Sequence, residues 1–233
     1  MTDPRVPPPS PSDLPPGYAT RIVLRPIATP LPLGFLALAV ATTAFASVQL
    51  GWIPQSQGHT IALGVLALTV PMQLLAAVIG FLARDPVAAT GMGILSGTWG
   101  AACLATITSA PGAVSSGLGV ILLSSAACLL VPAAAARSKA VPALVILTSA
   151  VRFAVTGIAE INGGRGWMHA AGWIGIAVAV LSGYAALALE LEGSVGRTVL
   201  PLGRTGSARV AVDGTLSDQL GDLANEPGVR QQL

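Results

Sequence analysis

Hydrophobic residues run along this chain in six blocks, at about Pro32–Trp52, Thr60–Ala83, Val87–Thr108, Ala113–Ala136, Val141–Ile161 and Trp167–Leu191. Each is roughly 21 to 25 residues long, and a helix needs about 20 apolar residues to cross the hydrocarbon of a bilayer. Charges hardly interrupt them. The pattern predicts an all-α membrane protein of six transmembrane helices. The connections, Ile53–His59, Arg84–Pro86, Ser109–Gly112, Arg137–Ala140 and Asn162–Gly166, are short. Short connections force antiparallel neighbours, so successive loops alternate between the two sides.

The flanks read differently. Met1–Tyr18 holds seven prolines with Ser and Asp, too little apolar surface to offset chain entropy. Residues 1–28 are predicted to be a disordered Pro-rich tail and 29–203 the membrane domain. Residues 204–233 are predicted to be a polar, disordered tail, with a short amphipathic turn around Leu216–Leu223 as an option. The first apolar block starts late and is too long for a cleavable signal.

Composition agrees. Hydrophobic residues make up 53% of the chain and charged residues 9%, against about 25% charged in a soluble domain. Net charge is only +2, which argues against nucleic acid as a partner. The basic residues are placed unevenly. Arg5, Arg21, Arg25, Arg84, Arg137, Lys139, Arg197, Arg204, Arg209 and Arg230 fall on the side of the termini, and Arg165 on the other. Lys and Arg concentrate on the cytoplasmic side, so both termini are expected to be cytoplasmic and the protein to span the inner membrane. Trp52 and Trp167 would anchor the outer interface.

Few residues offer chemistry. Arg152 is the exception, a charge near the middle of the fifth block; such charges usually face a cavity or a partner. It needs a counter-charge, a carbonyl, water or an anionic solute, or it ties helices together. Glu160 lies eight residues on, about 12 Å along a helix, so the two are not expected to pair. Glu160 is instead expected to pair with Arg165, and Glu190 and Glu192 to meet water at the end of the sixth helix. Gln73 follows Pro71, where the helix loses a hydrogen bond; it either lines a cavity or bonds across helices. Gly91, Gly93, Gly97 and Gly100 give the third helix a small-residue face suited to close packing. Cys103 and Cys128 read as apolar packing. His59 and His169 lack further ligands at metal spacing. No nucleophile elbow, phosphate loop, metal signature or cofactor motif occurs, so neither an enzyme nor a cofactor protein is expected.

Several motifs carry a resemblance. His169, Gly172-Trp173-Ile174-Gly175, Tyr184 and the run Gly196-Arg197-Thr198-Val199-Leu200-Pro201-Leu202-Gly203 resemble the acetate uptake transporter family, which includes the bacterial succinate–acetate permeases. Its entry motif Asn-Pro-Ala-Pro-Leu-Gly-Leu appears here as Thr29-Pro30-Leu31-Pro32-Leu33-Gly34-Phe35. Gln73 and Trp99 match a family glutamine and tryptophan. The resemblance covers about Thr29 to Gly203.

It implies a six-helix bundle with a pathway in each protomer, gathered into a homo-oligomer, usually a hexamer. The solute would be acetate or a related small carboxylate, moved through a channel or with protons. The family's constriction of Phe, Tyr and Leu aligns with Leu38, Leu95 and Arg152. Thr29 and Gln73, at family-motif positions, and Ser96 and Thr98, between the glycines of the third helix, are the candidate solute-binding positions. The substitutions at the constriction keep two other readings open: an exporter of a small neutral species such as ammonia, and a non-transporting membrane scaffold or accessory subunit.

Overall fold

The computed structural model describes residues 27–213. The basic positions Arg5, Arg21, Arg25 and Arg230, most of the Pro-rich segment and the turn around Leu216–Leu223 lie outside the described residues. Six long helices follow one another: α1 (Leu31–Gln49), α2 (Gly58–Leu82), α3 (Pro86–Thr108), α4 (Ser116–Ala135), α5 (Ala140–Asn162) and α6 (Arg165–Val195). All six are long and apolar enough to cross a membrane. A short helix, α7 (Ser207–Asp213), follows, so the segment read as a structureless tail begins with helix.

Local sequence explains the ends. Pro32 and Pro86 sit in the first turns of α1 and α3, where an absent N–H costs nothing. Asp85 caps α3 by accepting from the Ala88 N–H at 3.0 Å. Ser115 caps α4 through Leu118. Gly163, Gly164 and Gly196 adopt positive φ where α5 ends, α6 begins and α6 ends, a conformation favoured by glycine.

Each helix packs on the next, and α6 returns to α1. The result is a closed ring of six antiparallel helices. One face carries the α1 start, the α2–α3 and α4–α5 turns and the α6 end; it is called here the terminal face. The opposite, distal face carries the other loops. Helices α4 and α5 approach closely. A β-carbon at Gly119 would sit 2.8 Å from the Gly157 carbonyl, and one at Gly157 would sit 2.9 Å from the Gly119 carbonyl. Only glycines allow that separation. On α3, Gly93 faces Ala77 of α2, while Gly97 has open space before it and lies on the outside of the ring.

The ring's terminal half is filled. Phe35 and Leu38 of α1, Met92 and Leu95 of α3, Leu129 of α4 and Ile146 of α5 are all fully buried there. Outward-facing Leu, Val and Phe side chains such as Leu74, Phe81, Val131 and Val180 stay exposed, as lipid-facing positions must. Cys103 is buried, whereas Cys128 lies on this outer surface.

A strap from the α6 end crosses the terminal face. Helix α5 has no side-chain cap. Its first N–H groups, on Ala140 and Val141, donate instead to the carbonyls of Gly203 and Leu202 at 3.2 and 3.1 Å. Leu202 is buried, and the Tyr184 hydroxyl donates to the Pro201 carbonyl at 2.9 Å. Arg204 locks the strap: its Nε donates to Glu192 Oε2 at 2.9 Å and its Nη2 pairs with Glu192 Oε1. Glu192 is therefore buried rather than hydrated as expected, because the strap folds back over it. Lys139 beneath the strap pairs with Asp85 at 3.7 Å.

Breaking one partner of a nearly buried ion pair leaves an uncompensated charge, at a cost of about 3 kcal/mol. Glu192→Ala should therefore lower Tm in detergent by roughly 6–12 °C. Thermal unfolding followed by circular dichroism checks this; an unchanged Tm would mean the strap contributes no stability.

Candidate functional site

A cavity of about 600 Å³ opens at the distal face and ends inside the ring. Its mouth is edged by Gln55, His59, Ser109, Ser115, Glu160, Arg165 and His169, from every distal loop. Its deepest wall is Phe45 of α1, Trp99 of α3, and Arg152 with Phe153 of α5. Every residue lining it belongs to the distal half of a helix or a distal loop. Below this floor lies the packed terminal half.

Arg152 sits about 18 Å along α5 from the helix start, near mid-membrane, and is 2% exposed. Its Nη2 reaches two acceptors on α1, the Thr42 carbonyl and Gln49 Oε1, each at 3.4 Å. Both contacts are long. Its Cζ lies 5.0 Å from the ring centroid of Trp99, within cation–π range. On the α6 side it presses on Gly175, where a β-carbon would lie 2.7 Å from Nε and 3.1 Å from Cζ. The guanidinium is thus held between α1, an indole and a bare stretch of α6. Among the described residues no carboxylate pairs with it. Its Nε and Nη1 have no hydrogen-bond partner, and neither does the Trp99 indole N–H. A buried donor left unmet costs roughly 1–3 kcal/mol.

Two further rings pack on Trp99. Phe45 and Trp99 lie 5.3 Å apart between centroids, and Trp99 and Phe153 meet edge-on at 5.5 Å. Further up, Thr156 Oγ1 donates back to the Arg152 carbonyl at 2.8 Å. Ala102, Ala105, Leu118 and Leu122 complete the middle wall.

At the mouth, Glu160 accepts from the Ser115 N–H at 2.8 Å. It closes the N-terminus of α4, which favours a negative charge. The expected Glu160–Arg165 ion pair does not form among the described residues, because the exposed N–H groups of α4 are the nearer partner. His59 Nε2 bonds to the Ser109 carbonyl at 2.9 Å and joins α2 to the end of α3.

The sequence-derived site positions are spread along the ring axis. Arg152 lies in the cavity floor, but Leu38 and Leu95 are packed in the dry core beneath it. Gln73 is fully buried towards the terminal face; its Nε2 reaches the Gly34 carbonyl at 3.5 Å and its Oε1 has no partner. Ser96 Oγ donates to the carbonyl of Val70, the residue before Pro71, at 2.9 Å. Thr98 bonds within its own helix, to Ile94 at 2.7 Å. Thr29 is exposed, ahead of α1. Sequence reasoning did not select Phe45 or Phe153. Phe153 adjoins Arg152, and Phe45 lies seven residues after Leu38, on the same side of α1.

No protein-family model matches the chain, and no curated protein matches it. A solved structure does: the bacterial acetate channel SatP superposes with a TM-score of 0.64 at 24% sequence identity, over 76% of this chain and 99% of that one. The likeness spans essentially all of the channel chain and shows that the closed six-helix ring described above is the fold of that protein.

Proposed function

We propose that the protein moves acetate or a related small carboxylate across the membrane, through a pathway along the axis of its own helix ring. The observation that carries this reading is the Arg152 guanidinium, buried at mid-membrane depth at the end of a cavity, with two unmet donors and, among the described residues, no carboxylate beside it. A carboxylate is the group that would satisfy such a fork, through charge-assisted hydrogen bonds. A fixed cation there also repels metal cations. The shared fold with an acetate channel supports the same solute class.

In this reading the anion enters from the distal face, loses water against Phe45, Trp99 and Phe153, and meets Arg152. Leu38, Leu95 and Met92 then form a dry collar. Gln73 waits beyond it with an unmet carbonyl oxygen, and Ser96, Thr98 and Thr29 mark the rest of the route towards the terminal face. Both termini are assigned to the cytoplasmic side of the inner membrane, from the distribution of Arg and Lys. The protomers assemble as a homo-oligomer.

The collar favours one further detail. An anion cannot cross packed aliphatic side chains at low cost, whereas the protonated acid can. Either the collar opens or a proton travels with the solute. Flux that follows the neutral fraction as pH falls would select the second course, and flux that follows the anion the first.

Two measurements test the central assignment. In proteoliposomes, Arg152→Leu should reduce labelled acetate uptake at least tenfold at equal reconstitution, with Arg152→Lys partly restoring it; equal flux in all three proteins would refute the role. Gly175→Ala should displace the guanidinium and reduce uptake severalfold. In an Arg152→Leu background the same change should add little, since the two residues act through one contact. Simple additivity of the two losses would show that Gly175 has no part in holding Arg152.

A further inference from the structure

The cavity is larger and more apolar than a two-carbon acid needs. At about 600 Å³ it falls within the ~300–1,000 Å³ range of sites that enclose drug-sized ligands. Its polarity is also ordered. One cation lies at the floor, flanked by the rings of Phe45, Trp99 and Phe153. The middle wall is alanine and leucine, and the hydroxyl of Thr156 is already committed to a backbone carbonyl. The next charge on α5 is Glu160, about 12 Å nearer the mouth, and it is negative.

This arrangement complements an amphiphilic anion. A carboxylate on Arg152 leaves its hydrocarbon body lying along the rings and the aliphatic wall. A short dicarboxylate held at Arg152 would place its second charge against the alanine and leucine of the middle wall, short of the mouth where Glu160 and Arg165 both lie. Resting on the reading of Arg152 as the anion's counter-charge, we propose that the site selects monocarboxylates with an apolar body longer than that of acetate, unbranched or aromatic, and discriminates against short dicarboxylates.

Isothermal titration of the purified full-length protein with acetate, propionate, butyrate, hexanoate, benzoate and succinate tests the proposal. Affinity should rise along the unbranched series by up to about fourfold per methylene, benzoate should bind more tightly than acetate, and succinate more weakly than butyrate. The gain should vanish in Arg152→Leu. Phe45→Ala should cut the hexanoate-to-acetate affinity ratio at least threefold, which keeps the test decisive if Arg152→Leu fails to fold. Equal affinity across the series, still dependent on Arg152, would overturn the selectivity while leaving the anion site intact. A rise with chain length that survives both variants would mean partition into detergent and would also overturn it. No binding of any acid would remove the anion site itself.

Discussion

Placing a guanidinium at mid-membrane depth costs at least about 2.5 kcal/mol on insertion scales, and more when water is kept away. Among the described residues, no carboxylate shares that cost with Arg152. What offsets it comes from two helices, through two long contacts to α1 and the face of Trp99 on α3, while Gly175 leaves room for the side chain on the α6 side. None of these neutralises the charge. They hold its direction while leaving two donors unmet. Much of what is distinctive in the membrane domain serves that arrangement. The ring must close so that α1 and α6 reach α5 together. Gly175 must lack a side chain. The cavity must reach the floor from the distal face.

Closure of the ring depends in turn on close backbone approach and on the strap. Gly119 and Gly157 let α4 and α5 meet carbonyl to backbone, and the Leu202–Gly203 carbonyls cap α5 where no side chain does. The strap is held by Arg204 and Glu192, so a charged contact at the terminal face stabilises the helix that carries Arg152. Phe35, Leu38, Met92 and Leu95 fill the terminal half, and the cavity occupies the distal half.

The sequence made the spans plain, because lipid leaves a helix little freedom to carry charge. The predicted block Val141–Ile161 differs from α5 by one residue at each end, and Val87–Thr108 from α3 by one residue at its start. Arg152 was also legible, as a charge with no partner in reach. Contacts that join distant segments were not. The capture of Glu160 by the α4 N-terminus depends on a separation of 45 positions, and the burial of Glu192 depends on a strap that folds back. Trp99 was legible only as a match to a family tryptophan, and Phe45 and Phe153 of the cavity floor were not legible, for a related reason. Transferring positions helix by helix fixes the face of a helix but not the depth at which packing ends, and here the packing ends a turn or two beyond Leu38 and Leu95. Phe45 and Trp99 lie at that level on the same two helices.

The likeness to an acetate channel gives the backbone topology, and the proposed solute rests on the unmet guanidinium. Solid-state NMR on protein carrying ¹⁵N-arginine in lipid, with ¹³C-carboxyl acetate added, reads the decisive contact directly. The account predicts a dipolar coupling that corresponds to a guanidinium nitrogen–carboxyl carbon distance of about 4 Å or less, absent when residue 152 is leucine. A protein that transports acetate with no such coupling, or whose coupling persists without Arg152, would contradict it.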